Sequence, residues 1–262
     1  MQRTSICFLA VLGIAALPAS QAVAQINLGT SQNFAVLGGS TVTNTGATAV
    51  TGNLGVSPGS SVTGFPPGIV AGGTIHAADS VAAQAQSDLT TAYNAAAGLP
   101  CGVDLTGQNL GGLTLTPAVY CFTSSAALTG TLTLNFQGNP NAVFVFKIGS
   151  TLTTASGSSV VLSNTGGTTC PTNLFWQVGS SATLGTGSTF SGNILALTSI
   201  TMNTGAALTG RALARNGAVT LDTGIVNSAA CGTSIPALGS AGLMMLVLLL
   251  AGVGMFVIKR LS

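Results

Sequence analysis

Short stretches of alternating character dominate the middle of the chain. From Ser199 to Asn203, the apolar Ile200 and Met202 alternate with Ser199, Thr201 and Asn203, as in a strand with one buried and one wet face. The pattern recurs. Thr183-Leu184, Thr201-Met202 and Thr220-Leu221 are spaced 18 and 19 residues apart, and each is followed by a Thr-Gly pair, at Thr186-Gly187, Thr204-Gly205 and Thr223-Gly224. On a second track an apolar residue precedes Thr or Ser and then Gly, as in Val50-Thr51-Gly52, Val62-Thr63-Gly64, Leu105-Thr106-Gly107, Leu128-Thr129-Gly130, Phe190-Ser191-Gly192 and Leu208-Thr209-Gly210. Short strands punctuated by Gly at a fixed period predict a mainly β fold, a parallel β-helix with roughly three strands per turn. Stacking turns the repeat into ladders: Thr183 over Thr201 over Thr220 on one face, and Leu195 over Leu213 on another.

One segment departs from this pattern. Residues 77–97 are rich in Ala, and Val81, Ala85, Leu89, Ala92 and Ala96 recur at steps of three and four, an apolar helical stripe that Gly98 and Pro100 stop. A helix of that length, at ~1.5 Å per residue, spans several turns of a coil rising ~4.8 Å each. It is therefore expected to lie along the coil axis and cover the outward Leu195, Leu197 and Leu213, since an exposed apolar strand face is an aggregation hazard.

Both ends read as addresses. Residues 1–24 carry Arg3, an apolar run from Ile6 to Leu17, Pro18 and then Ala22-Val23-Ala24, the layout of a secretory signal cut before Gln25. Ala241 to Ile258 is an unbroken apolar run, long enough to span a bilayer, followed by the cations Lys259 and Arg260. With Ser234-Ile235-Pro236-Ala237-Leu238 ahead of it, this tail resembles bacterial C-terminal sorting tails of the IPTL and PEP type, with Ala237 where the motif has Thr. The expected organisation is a signal at 1–24, one β-solenoid domain at 25–234 and a sorting or membrane tail at 235–262. The chain is expected to be exported and to remain at the cell envelope or outside the cell.

Charge narrows the function further. Only 4% of the residues are charged, against roughly 25% in an ordinary domain. With Arg3, Lys259 and Arg260 set apart, the middle holds Lys147, Arg211 and Arg215 against Asp79, Asp88, Asp104 and Asp222. Three scattered cations make no phosphate-neutralising face, so nucleic acid is excluded as a partner. Four Cys remain once Cys7 leaves with the signal, and four allow three disulfide connectivities. Cys101 with Cys121 is favoured, because the intervening segment returns in about one turn of the coil; Cys170 with Cys231 follows by elimination. No CxxC or paired His accompanies them, so no metal site is expected.

Catalysis has little to work with. A glycosidase pair would have to come from four Asp, two of them on the helix. His76 is the only His and reads as a helix-start or turn residue, and no Ser stands in a nucleophile elbow. No catalytic residue and no cofactor is expected. What remains is the surface. A Thr ladder presents hydroxyls and methyls in a flat, nearly uncharged array, which suits either a repetitive glycan or protein surface, as in an adhesin, or ice. Thr also simply favours strands.

Asn33-Phe34-Ala35-Val36-Leu37-Gly38-Gly39, Thr51-Gly52-Asn53-Leu54-Gly55-Val56, Ile75-His76-Ala77-Ala78-Asp79, Ala142-Val143-Phe144-Val145-Phe146 and Ser191-Gly192-Asn193-Ile194 together resemble the microbial ice-binding protein family, in order and across residues 26–228. The resemblance implies a right-handed β-solenoid of triangular section with discontinuous stacking and a long helix alongside. It also implies adsorption to ice through a flat face, with inhibition of ice growth and recrystallisation. Some members carry a Thr-Ala/Gly-x-Thr/Asn motif there; Thr45-Gly46-Ala47-Thr48 and Thr186-Gly187-Ser188-Thr189 match it, while the stretches beginning at Thr154, Thr204 and Thr223 fail at the fourth place. The expected contact residues are Thr183, Thr186, Thr201, Thr204, Thr220 and Thr223. The face bearing Arg211, with Thr209 and Asn193, is the alternative. The expected partner is an ice surface, met by a monomer.

Overall fold

A computed structural model describes residues 26–167 and 172–228. These residues form a mainly β structure of parallel strands with one α-helix, α1, at Ser80–Gly98. The strands stack in three columns. The first, the helix face, runs in the spatial order Ile75–Ala77, Asn53–Val56, Phe34–Gly38, Ala207–Ala214, Thr189–Ala196, Leu174–Val178, Phe144–Ile148, Val119–Phe122 and Val103–Asp104. The second, the threonine face, runs Ser61–Thr63, Thr41–Asn44, Val219–Leu221, Ile200–Met202, Ala182–Leu184, Leu152–Thr154 and Ala126–Leu128. The third carries Ile69–Ala71, Ala49–Thr51, Ile225–Asn227, the first halves of Ala207–Ala214 and Thr189–Ala196, then Ser159–Ser163, Thr131–Asn135 and Thr114–Leu115.

Spatial order departs from chain order at one place. Val36 pairs with Ala212 below it and Leu54 above it, so the first strand completes the turn whose other two strands are Val219–Leu221 and Ile225–Asn227. The N-terminal turns thus stack on the C-terminal one. α1 then carries the chain from the strand at Ile75–Ala77 back to the opposite end of the stack, where Val103–Asp104 begins the ascent. Discontinuous stacking, implied by the family resemblance, is what the strand registers show.

The inward residues of all three columns share one core. Val42, Ile200, Met202 and Leu221 from the threonine face meet Val50, Val160 and Leu208 from the third face and Leu54, Phe146 and Trp176 from the helix face. Aromatic rings stack along the axis: Phe146 lies 3.9 Å from Trp176, which is 4.7 Å from Phe190, and Trp176 Nε1 donates to the Ser191 carbonyl at 2.9 Å. Each such ring removes apolar surface from water worth ~1.5–3 kcal/mol. The two long strands bend between the third and helix faces at Gly192 and Gly210, where φ is 108° and 146°. A Cβ on Gly210 would fall 1.9 Å from the Gly192 carbonyl oxygen, so the stacked corner admits only Gly.

α1 is capped by Asp79, whose carboxylate accepts from the Ala82 amide at 2.8 Å. It covers the helix face through Ala82, Ala85, Leu89, Ala92, Tyr93 and Ala96, packed with Leu195, Leu213, Phe175, Val145 and the half-buried Leu197. Two expectations need correction. The helix begins at Ser80 because Ala77 still belongs to a strand, and it extends to include Gly98. Val81 is 46% exposed, and the buried stripe starts instead at Ala82, from which Ala85 and Leu89 follow at steps of three and four. Polar contacts fasten the helix as well: Thr30 donates through its amide and hydroxyl to Asp88 at 2.7 Å each, and the Arg215 guanidinium lies 4.7 Å from the Tyr93 ring centre. The Cys101–Cys121 disulfide ties the segment after α1 to the strand Val119–Phe122. Cys170 and Cys231, expected as a second pair, lie outside the described residues, as do the signal and tail segments.

Candidate functional site on the threonine face

From Ala126–Leu128 to Val219–Leu221 each strand of this face buries its flanking residues and turns a central one outward. Thr43 stands likewise between buried Val42 and Asn44, and at the open end Thr63 follows half-buried Val62. Thr201 stands between buried Ile200 and Met202, and Thr220 between buried Val219 and Leu221. Register places these central residues directly over one another in the order Thr153, Thr183, Thr201, Thr220, Thr43 and Thr63, with Ala127 beyond Thr153. Sequence analysis found Thr183, Thr201 and Thr220. It missed Thr43, which meets Thr220 where the N-terminal turns stack on the C-terminal one, Thr63, which stacks on Thr43, and Thr153, whose separation from Thr183 is longer than the repeat. The alternation in Thr41-Val42-Thr43 and Ser61-Val62-Thr63 was the signal that could have found two of them.

The column has a definite spacing. Adjacent parallel strands stand ~4.8 Å apart, and outward residues two apart along a strand are separated by ~6.6 Å. Among the described residues, none of the six central hydroxyls donates to or accepts from the protein. The neighbouring column differs. Thr151 Oγ1 donates to Ser125 Oγ at 2.8 Å, Ser181 Oγ accepts from the Ser199 amide at 3.3 Å, and Ser199 Oγ accepts from the Ala218 amide at 3.2 Å. Those hydroxyls hold strand to strand, whereas the central threonines, half-exposed or exposed, leave theirs to the solvent side.

Thr186, Thr204 and Thr223 occupy the exposed corner between this face and the third. Thr204 Oγ1 donates to Asp222 Oδ2 at 2.5 Å and Thr223 Oγ1 to Asp222 Oδ1 at 3.0 Å. The Thr204 and then the Thr223 hydroxyl hold the Asp222 carboxyl below its ordinary value, a small desolvation effect opposing them. These two corner hydroxyls are thus engaged, unlike the central six. Of the two motif matches, Thr189 is exposed, but Thr48 is buried and donates to Asn44 Oδ1 at 2.6 Å.

The alternative site does not form a surface. Asn193 is wholly buried and Arg211 nearly so. Arg211 Nη1 donates to Asn193 Oδ1 at 2.9 Å and its Nε to the Gln32 carbonyl at 2.7 Å. Burial pulls the guanidinium down to about 10. Both residues follow a corner Gly, where the N-terminal segment covers them; Thr209 alone of the three remains half exposed. The third face turns out a mixed column: Ile69, Ala49, Ile225 and Ala207 at one end, with Ile225 53% and Ile69 65% exposed, then Thr189, Ser159 and Thr131, where the Thr131 and Ser159 hydroxyls bond each other at 2.9 Å; Ser191, Thr209, Asn227 and Thr51 stack beside it.

The remaining titratable groups are dispersed in local roles. Asp79 caps α1 and pairs with His76 at 2.7 Å, Asp88 holds Thr30, and Asp104 accepts from the Thr106 amide at 2.8 Å. Among the described residues no three His, Cys, Asp or Glu side chains gather where they could hold a metal ion.

A stack of parallel turns closed by an N-terminal strand, with a helix along one face and a threonine ladder on another, defines a family of proteins. The chain belongs to the ice-binding-like family, whose family model matches residues 36–227, and a second match, the IPTL-CTERM motif, covers residues 233–260. An ice-binding protein of Nostoc sp. (strain HG1) is 59% identical over 231 residues, 87% of this chain and 84% of that protein. Among solved structures, an ice binding protein from an Antarctic biological consortium is 48% identical with a TM-score of 0.73, covering 85% of this chain and 95% of that one. The ice-binding protein of the Antarctic ascomycete Antarctomyces psychrotrophicus is 40% identical with a TM-score of 0.74, covering 78% of this chain and 98% of its own.

Proposed function

We propose that the protein binds ice through the threonine face and thereby inhibits ice growth and recrystallisation. The observation that carries this reading is the register of six threonines whose hydroxyls have no protein partner among the described residues. A methyl beside each hydroxyl favours ordered water, and the hydroxyl anchors it, so the layer on this face can merge with a crystal lattice. Each contact is weak, but the ligand is an extended solid, and a rigid array multiplies them in register. Thr183, Thr201 and Thr220 form the centre, extended by Thr43, Thr63 and Thr153, with Thr186, Thr204 and Thr223 at the edge.

The scaffold reading goes with it. Three columns around one core support a triangular section, and a right-handed course is the one that parallel β connections take in about 98% of cases. A signal at 1–24 and a tail at 235–262 that is sorted or inserted through 241–258 complete the proposed chain, which acts as a monomer. Membership of the ice-binding-like family and the near-neutral face both favour binding over catalysis, and the His76–Asp79 pair serves the start of α1, which Asp79 caps.

The test is to watch single ice crystals in the presence of the purified protein. Shaped crystals and arrested recrystallisation are expected, and Thr201→Tyr, which lifts the ice from the centre of the ladder, should abolish both. Unhindered crystal growth with the unaltered protein would refute the reading. Binding to glycans or cell surfaces without any effect on ice would replace it with adhesion.

A further inference from the structure

The chain enters and leaves the stack at one corner. Ser228, the last described residue, donates through its amide to the Thr51 carbonyl at 3.1 Å and through its hydroxyl to the same oxygen at 2.9 Å. That places it beside Gly52, at the bend between the third face and the helix face where Gly192 and Gly210 stand in the turns below. The N-terminal segment arrives at the same corner, where the Gln32 carbonyl accepts from Arg211. Both faces that meet there are columns other than the threonine face. In a three-sided section this corner lies opposite the threonine face. The IPTL-CTERM match begins at residue 233, five residues past Ser228. Residues 229–240, fully extended, reach at most ~40 Å before the apolar run starts at Ala241.

We infer that, when the tail holds the protein at the envelope, the threonine face points away from the cell, so that the full chain fastens the cell to ice and does not serve only as a dissolved inhibitor. This rests on the reading of the threonine face as the ice-binding one. The described chain leaves the stack at the one corner that the face does not touch. Near-neutral composition helps in the same direction: the described strands of the face carry no charged side chain, with Asp222 at one edge and Arg215, held over Tyr93, at the other, so polar headgroups have little to attract them to it.

The experiment uses the full chain, produced in a bacterium that sorts IPTL-type tails, with Cys170 and Cys231 replaced by Ser. One variant carries Thr63→Cys on the threonine face and another Thr51→Cys beside the exit. Intact cells are treated with a large thiol-reactive polyethylene glycol, and the rates are compared with those after detergent extraction. Thr63→Cys is expected to label equally fast in both, and Thr51→Cys several-fold more slowly on intact cells. Equal rates at Thr51, protection at Thr63, or recovery of the protein only in the medium would overturn the proposal. Ice shaping by the purified full chain is measured in parallel. If it is absent while the labelling contrast persists, the ice reading fails and the orientation stands. If shaping is present and the contrast is reversed, the orientation alone fails.

Discussion

The helix face and the threonine face are built by the same turns, on the same spacing, yet they meet different surroundings. On the helix face the outward ladder runs Leu37, Leu213, Leu195 in register, and α1 covers it. On the other the outward ladder is Thr43, Thr220, Thr201, Thr183, and nothing in the described chain covers it. A strand ladder of aliphatic residues must be removed from water; one of threonines can remain in it. The outward residue at one position per turn therefore decides whether a face becomes interior or working surface, with the backbone unchanged.

Substitutions can separate the two. Leu213→Asp places an unpaired charge under α1 and should cost about 3–5 kcal/mol, undocking the helix, as denaturant unfolding would show. Leu213→Ala at the same place should cost ~2–5 kcal/mol depending on how far the helix settles into the gap. Replacing Cys101 and Cys121 with Ser releases the segment that leads from α1 into the stack. Closing a loop of this size contributes ~3 kcal/mol, so melting should fall by several degrees while ice activity well below the transition is retained.

Acid should act on both sides of the comparison, and more weakly: Asp79, Asp88 and Asp104 lie on the helix side, and Asp222 borders the threonine face. Asp222, Asp79, Asp88 and Asp104 are all held below the ordinary carboxyl value of 3.8 by hydrogen bonds they accept. A depressed folded pKa contributes stability that is present above the ordinary value and is lost as pH falls through the lowered one. Unfolding followed against pH should be flat above about pH 5 and decline below 3.8, and Asp222→Asn should reduce that decline by removing one of the carboxyls whose protonation causes it. The smallest change in stability is expected from Thr183→Asp, within about 0.5 kcal/mol, because the residue is at the surface and without a protein partner. Loss of ice shaping with the melting curve unmoved would set the threonine face apart from the helix face; an equal loss of stability would merge them.

How much of this was legible follows from the distances along the chain. Thr183, Thr201 and Thr220 and the pair Leu195 and Leu213 lie within successive turns, so a period near 18 residues exposes them. The helix was visible from its apolar spacing, with an error at Val81 that arises because adjacent positions on a helix differ by a large angle and a stripe can start from either. Thr43 sits over Thr220 only because the chain doubles back through α1, and no local pattern carries that information. Arg211 looked like surface because it is charged. Its burial depends on Gln32, distant in sequence, offering a carbonyl at the corner. Local periodicity was readable, and contacts that depend on the return of the chain were not.

That return has a mechanical consequence. In a coil wound from one end to the other, the chain termini sit at the ends of the stack, and unravelling can begin there and proceed turn by turn. Here the two ends of the described chain meet in a composite interior turn, where Phe34–Gly38 lies between Asn53–Val56 and Ala207–Ala214. The two open ends are made by internal segments, Ser61–Thr63 through Ile75–Ala77 at one and Val103–Asp104 at the other, and α1 links them along the side. Among the described residues, neither open end of the stack is a chain end from which turns could be unzipped. A pull transmitted through Ser228 is borne first at the middle of the stack, where it must shear several parallel strands at once.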